Sequence, residues 1–267
     1  LCLSILLLLF SIFSTPIPHE SPLHFSIIQA NHSQLDKLDR SQRRFLLKDY
    51  IDYTHQSAQA DVHDLIIYPE TIVPGYVLEK PVFMHQLDTL SSTYNSTFLF
   101  GTARRDQGYI YNSVALYHPD STPQFYDKVK LMPFGEYWPF KALFLFLNLD
   151  NIIPGSEFTA GPLIAPLSYH DHQLGIGICL ESLYPHFYRQ QATMGASIFI
   201  ALANSAWFHT SWISQSHFYM SIMRAVEHGR FFIHASNIGV SGVISPSGQI
   251  IQHSQQNTID RLQFSLD

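Results

Sequence analysis

The chain has 267 residues, enough for one large α/β domain or two small ones with a substantial buried core. Hydrophobic residues make up 46% and charged residues 13%, a deficit of charge that points to a partly membrane-associated or lipid-facing protein rather than a highly solvated one. The formal net charge of −6 gives no basic footprint, which argues against a nucleic-acid partner.

The first segment, Leu1 to Phe13, is almost wholly apolar and is stopped by Thr15-Pro16-Ile17-Pro18. Thirteen helical residues would span roughly 20 Å, short of the roughly 30 Å hydrocarbon core of a bilayer. No initiator Met and no basic run precede it, as a signal peptide would require. Residues 1–15 are therefore expected to be the end of a transmembrane helix from a larger membrane domain, with a truncated secretory signal as the alternative. On either reading the domain that follows, residues 22–267, is expected across the membrane from the cytosol. Cys179 is the single cysteine of that domain, so in an oxidising compartment it lacks an intramolecular disulfide partner.

From Leu23 the pattern alternates strands and helices with no obvious linker, repeat or low-complexity tract. Residues 23–30 read as a strand, 35–60 as helical, 64–68 as a strand, 80–94 as a helix and 97–101 as a strand. Residues 113–117 and 123–126 read as antiparallel partners around an Asp120-Ser121 turn. A strand over 173–179, a helix over 186–194, a strand over 196–202 and the longest helix over 212–230 follow. Strands at 231–236, 240–244 and 249–252 close the domain. Such alternation, interrupted by hairpins, predicts mixed sheets with helices on their outer faces. The fifteen histidines are scattered. Their tightest group, His170-Asp171-His172, reads as a surface turn, and no Cys/His spacing of the zinc kind occurs, so neither a metal nor a cofactor is expected.

Three predicted strand ends carry reactive groups. The run Leu65-Ile66-Ile67-Tyr68-Pro69 ends in Glu70, Tyr126-Asp127 leads to Lys128, and Gly175-Ile176-Gly177-Ile178 ends in Cys179. A thiol at neutral pH is only a few per cent thiolate and needs a base or a cation beside it. Glu70 can take the thiol proton, and Lys128 can stabilise the oxyanion that forms when sulfur adds to a carbonyl. After Lys128 the segment Tyr137-Trp138-Pro139-Phe140-Lys141-Ala142-Leu143-Phe144-Leu145-Phe146-Leu147 is crowded with large apolar side chains. It reads either as a surface that meets lipid or a lipid-like substrate, or as a buried helix capping the domain.

The motifs Tyr68-Pro69-Glu70, Tyr126-x-Lys128 and Ile178-Cys179-x-Glu181 resemble the Glu-Lys-Cys triad of the nitrilase, or carbon–nitrogen hydrolase, superfamily. Lys128-x-x-Leu131-Met132-Pro133-Phe134-Gly135-Glu136-Tyr137-x-Pro139 is similar to the lysine motif of its apolipoprotein N-acyltransferase branch. So are Asn204-Ser205-Ala206-Trp207-Phe208, the stretch Met223 to Arg230, and Asn237-Ile238-Gly239-Val240-Ser241. The resemblance implies a nitrilase-like αββα sandwich on a multi-helix membrane domain, on the periplasmic side of a bacterial inner membrane. It implies an acyl transfer in which Cys179 takes a fatty acyl chain from a phospholipid and passes it, through a thioester, to the amine of an apolipoprotein's diacylglyceryl-cysteine. In that scheme Glu70 is the base, Lys128 the oxyanion partner and Cys179 the nucleophile. Glu136 and Glu181 are supporting carboxylates, for which a structural ion pair is the plain alternative. Tyr137, Trp138, Trp207 and Phe208 are candidate substrate contacts. Four positions depart from the branch's pattern: Leu180 in place of a tyrosine, Leu38 in place of a tryptophan, His209 in place of a glycine and His234 in place of an arginine. Two other readings stand beside acyl transfer, a water-using amidase of small amides and a non-catalytic membrane-anchored relative.

Overall fold

A computed structural model describes residues 23–58, 64–147, 157–208 and 212–266. The apolar segment of residues 1–15 lies outside these. Among the described residues no helix is long and apolar enough to cross a membrane.

Two six-stranded sheets carry the fold. The first has the order β12-β1-β2-β3-β4-β5, where β1 is Leu23–Gln29, β2 Leu65–Ile67, β3 Thr97–Asp106, β4 Tyr109–Tyr117, β5 Gln124–Asp127 and β12 Asp260–Leu266. The second has the order β11-β10-β9-β8-β7-β6, where β6 is Leu167–Tyr169, β7 His172–Ile178, β8 Ile198–Ala203, β9 Phe231–Ser236, β10 Gly242–Ile244 and β11 Ile250–His253. In each sheet three central strands run parallel, β1-β2-β3 and β7-β8-β9, and the outer strands pair antiparallel.

The strand residues sort by the period of two that a pleated strand imposes. Phe25, Ile27, Leu65, Ile67, Leu99, Val114 and Leu116 meet Leu174, Ile176, Ile178, Ile198, Ile200 and Leu202 in an apolar layer between the sheets. The alternate residues Ile28, Ile66, Phe98, Phe100 and Ala115 turn outward against helices α2 (Arg43–Ala58) and α3 (Pro81–Tyr94), which follow the five-residue α1 (Gln34–Leu38). On the other sheet Phe199, Ala201 and Phe232 turn outward against α5 (Pro185–Thr193) and α6 (Trp212–His228), with the short α4 (Lys141–Phe146) lying between β5 and β6 in sequence. The layers are thus helix, sheet, sheet, helix. Close packing explains Gly177 on β7: a Cβ there would lie 2.1 Å from the Tyr188 hydroxyl of α5.

Several boundaries differ from the sequence expectation for identifiable reasons. The helical stretch expected over 35–60 is broken, because Asp39 is extended and its carboxylate accepts from Ser41 N at 2.8 Å, leaving α1 and α2 separate. Strand β3 runs past Gly101 to Asp106 and returns through Gln107 and Gly108, both at positive φ, the two-residue turn that suits a twisted hairpin. Strand β12 lies beyond the last strand expected, although Leu262 and Leu266 face the core from it in alternation. His170 and Asp171 form the turn of the β6–β7 hairpin, and His172 is buried at its base.

The apolar segment after Lys128 is not a buried cap. Phe140 is 78% exposed and Phe146 81%, with Leu145 and Leu147 half exposed, so these side chains lie at the surface and the buried reading is corrected. Trp138 sits between two rings, edge-on to Phe134 at 5.4 Å and to Phe144 at 5.6 Å.

Candidate active site

The parallel strands of both sheets end on one side, and the loops leaving them hold the polar residues. Glu70 follows β2, Cys179 follows β7 and Asn204 follows β8, while Lys128 leaves the antiparallel β5 beside them. This is where an open α/β sheet places a ligand site.

Lys128 is 2% exposed and donates to Glu136 Oε1 at 2.9 Å, with Glu70 Oε1 at 3.5 Å. Asn112, an interior residue of β4, joins the same two carboxylates: its Nδ2 donates to Glu70 Oε1 at 2.8 Å and to Glu136 Oε1 at 2.6 Å. The second oxygen of Glu70 accepts from the backbone N–H of Asn204 at 2.9 Å. The second oxygen of Glu136 accepts from Met132 N at 2.7 Å, closing the Pro-Phe-Gly turn back onto the lysine. Glu136 therefore does form an ion pair, and that pair orients Lys128.

Cys179 is partly buried and holds φ +49, a left-handed conformation that costs an L-residue about 1–2 kcal/mol. Its thiol is pushed up to about 12, first by burial and then by the Glu70 charge, with Glu136 adding to the rise. Lys128 and the Asn204 N–H pull the other way. The opposing pulls on Lys128 run in reverse. Burial lowers it, but Glu70, Cys179 and Glu136 outweigh burial and hold its pKa above the ordinary lysine value. The site thus holds a resting thiol, not a thiolate, and a committed ammonium. Sulfur becomes a nucleophile only when a neighbouring carboxylate takes its proton.

Glu181 plays a different part from the ion pair considered for it. It is fully buried and accepts four hydrogen bonds, from Val129 N at 2.8 Å, Lys130 N at 2.9 Å, Ile178 N at 2.9 Å and Tyr126 Oη at 3.0 Å. Two donors directly follow Lys128 and one immediately precedes Cys179, so this carboxylate staples the loop after β5 to the loop after β7.

Other sequence candidates fall around this centre. Tyr137 is partly exposed, and its carbonyl accepts from Phe134 N at 2.8 Å. Trp138 anchors its backbone N–H on Glu157 at 2.8 Å. Trp207 and Phe208 lie in the short turn Ser205–Phe208 that leaves Asn204; their side chains fall outside the described residues, as does His209. Leu180 is partly buried beside the thiol, Leu38 is largely exposed, and His234 is buried with Nδ1 2.9 Å from the Ser221 hydroxyl.

Sequence reasoning missed Asn112, and it carried Asn204 and Asn237 only as the first residues of two motifs, without a role. Asn237 clamps the loop after β1, donating to His32 O at 2.7 Å and accepting from His32 N at 3.0 Å, and it also reaches Asn204 Oδ1 at 3.2 Å. Asn112 stood one residue outside the strand expected over 113–117, and only the start of β4 at Tyr109 places its amide inside a strand, where asparagine is disfavoured.

Gly101 on β3 fixes how close the first sheet comes to Glu70. A Cβ there would stand 2.6 Å from Glu70 Cα and from Thr71 N, backbone atoms that cannot swing aside. Gly101→Ala is expected to destabilise the domain by about 1–3 kcal/mol, the usual cost of overpacking, and to slow alkylation of Cys179. A thermal melt and a thiol-labelling rate check it; a variant unchanged in both would contradict this packing.

A family model for carbon-nitrogen hydrolase matches residues 26–267. The chain is 30% identical over 243 residues to the apolipoprotein N-acyltransferase of Photobacterium profundum, covering 88% of this chain and 46% of that protein. It is 33% identical over 241 residues to the apolipoprotein N-acyltransferase of Pseudomonas aeruginosa, with the same coverage of 88% and 46%. It thus spans about half the length of the curated relatives it matches. Among solved structures, a carbon-nitrogen hydrolase from Helicobacter pylori superimposes with a TM-score of 0.70 at 15% identity over 92% of this chain and 90% of its own. Saccharomyces cerevisiae Nit3, of the nitrilase superfamily, gives 0.69 at 16% identity over 92% and 90%. These share the fold. By the match over nearly all of its described length, the chain belongs to the carbon–nitrogen hydrolase family.

Proposed function

We propose that this chain is the catalytic domain of an N-acyltransferase that moves a fatty acyl chain from a phospholipid to the N-terminal amine of an apolipoprotein's diacylglyceryl-cysteine. The single observation that carries the reading is the likeness to relatives bearing that name, about 30% identity over 88% of the chain. The Glu70–Lys128–Glu136 cluster at Cys179 and the exposed apolar segment beside it support it.

In the first half-reaction Glu70 takes the thiol proton as Sγ adds to the ester carbonyl of the donor. The tetrahedral oxyanion is held by the Lys128 ammonium. Its collapse breaks the ester C–O bond, the leaving alkoxide takes the proton from Glu70, and a lysophospholipid departs from a Cys179 thioester. In the second half the acceptor amine adds to the thioester carbonyl and gives its proton to Glu70. The C–S bond then breaks, sulfur recovers that proton, and the amide leaves. Splitting the transfer through a covalent intermediate predicts ping-pong kinetics. Phe140, Leu145, Phe146 and Leu147 supply the lipid-facing surface beside the site, on the periplasmic side of a bacterial inner membrane.

The test is intact-mass spectrometry of the full-length protein after exposure to phospholipid vesicles. A fatty-acyl increment that a diacylglyceryl-cysteine peptide discharges as an amide is the expected result. An adduct discharged only by water would replace the reading with hydrolysis, and absence of any adduct in the folded protein would overturn it.

A further inference from the structure

Lys37 is a buried cation that the mechanism above does not use. It sits in α1, a five-residue helix too short to be stable alone, and it is 1% exposed. Lysine is almost never so buried without a partner that repays its desolvation. The partner is the backbone of the base. Lys37 Nζ donates to the carbonyl of Thr71 at 2.7 Å, and Thr71 is the residue after Glu70.

That carbonyl belongs to an unusual turn. Thr71 holds φ +51, a left-handed conformation in which a β-branched residue is an outlier. On its other side the segment is held by β3. Tyr68 N donates to Leu99 O at 2.9 Å, Gly101 N to Pro69 O at 3.2 Å, and Ile72 N to Gly101 O at 3.2 Å. The Glu70-Thr71 turn is therefore gripped between a strand and a single ammonium.

Charge leads to the same residue. Glu70 and Glu136 bring two carboxylates to one ammonium at Lys128, and Glu181 is satisfied separately by three backbone N–H groups and a hydroxyl. A second cation beside Glu70 closes that imbalance. Burial drives Lys37 down to about 7, against the pull of the Glu70 charge. The other titratable neighbour is His32, from the loop before α1. It is itself lowered by burial and, less strongly, by Lys37, while Asp49 of α2 and Asp36 of α1 act on it in the opposite sense.

We propose that Lys37 is a positioning residue for Glu70: its ammonium fixes the Thr71 carbonyl, and with it the turn that aims the carboxylate, and its charge balances the second carboxylate of the cluster. The proposal rests on the reading of Glu70 as the proton acceptor for Cys179. It makes a pH signature that a packing role lacks. Below about 7 Lys37 carries its charge, and above it Lys37 is a neutral amine that still donates to Thr71. Removing it therefore costs most on the acid side.

The test is the rate at which iodoacetamide alkylates Cys179 in the full-length protein, read from the mass of the peptide that carries Cys179 because Cys2 also offers a thiol, from about pH 5.5 to about pH 8.5. Lys37→Met removes donor and charge, and Lys37→Gln removes the charge while leaving a donor. Both are expected to slow alkylation about tenfold or more at the acid end, the effect of one pKa unit. At the alkaline end the gap to wild type should close to about twofold for Lys37→Gln, while that for Lys37→Met, which also lacks the donor to Thr71, narrows but stays wider. A ratio to wild type that is flat across this range overturns the proposal. So does a thiol that reacts at the unfolded-chain rate in both variants, which would make Lys37 a folding residue only. Glu70→Gln run in parallel separates the two assignments, because alkylation needs no acyl donor. If Glu70→Gln behaves as wild type, the base assignment fails and the proposal falls with it. If Glu70→Gln is slow while both Lys37 variants keep the wild-type profile, the proposal alone falls.

Discussion

Cys179→Ala is expected to abolish the fatty-acyl mass increment and to lower acyl transfer by about four orders of magnitude or more, the scale on which removing a covalent nucleophile acts. Nothing else around the thiol can substitute for it. Glu70 and Glu136 are held as acceptors by Asn112 and Lys128, and Glu181 is consumed by four donors. The loss should be chemical and not structural. The thiol is only partly buried, so its removal should cost less than about 1 kcal/mol, and the left-handed conformation at this position is no worse for alanine. A thermal melt within about 2 °C of wild type, together with loss of the acyl adduct, is the expected pair of results. Cys179→Ser should be nearly as inactive. The thiol already sits at about 12 and is reached only through a base, and a hydroxyl asks more of the same base. Transfer retained at more than about one per cent in the alanine variant would show that the acyl chain travels without this sulfur.

Much of this arrangement is legible in the amino-acid sequence. An apolar strand-like run that ends in one reactive side chain is a local signal, and such runs mark Glu70 and Cys179, while the strand end Tyr126-Asp127 leads to Lys128. The turn Pro133-Phe134-Gly135 marks Glu136, because the chain doubles back there, with Phe134 at φ +63, and brings the carboxylate within hydrogen-bond reach of Lys128. What stays hidden depends on pairs far apart in sequence. Asn204 meets Glu70 across 134 residues, and Asn237 meets His32 across 205, which no local pattern encodes. Lys37 is hidden for another reason. A lysine in a short polar helix looks solvated, and only the tertiary fold places it under Thr71. The strand β12 escapes notice although its alternation is present, because its partner β1 lies at the opposite end of the domain. The loop Tyr137 to Leu147 shows the converse. Its composition suits burial as well as exposure, and only the fold separates them.

Glu181→Gln gives the second large effect, and the donors around it decide its form. Burial pushes this carboxyl up, and the backbone hydrogen bonds that pull it down do not fully compensate. The pocket therefore does not favour the anion over water, and neutralising it is not in itself the main cost. The cost is a mismatch of donors. The amide oxygen can keep Val129 N and Lys130 N, and Tyr126 can rotate its hydroxyl to accept from the new NH2 group. Ile178 N–H cannot adapt, and two donors then face each other at the residue before Cys179. One buried backbone donor left unpaired costs about 1–3 kcal/mol. The functional loss should exceed what that energy alone suggests, because the strain falls on the joint that sets Sγ against Glu70 and Lys128. A misplacement of about 1 Å there costs on the order of a hundredfold in rate. Glu181→Gln is therefore expected to melt a few degrees lower yet to form its acyl-enzyme about a hundredfold more slowly. Glu181→Ala, with all four donors unanswered, should lose more stability than Gln does. The discriminating measurement is the pre-steady-state rate of thioester formation in the glutamine variant alongside its melt. A rate that falls only in proportion to the unfolded fraction would reduce Glu181 to a stability element. A folded variant with a slow nucleophile would make it the joint between the lysine and cysteine loops.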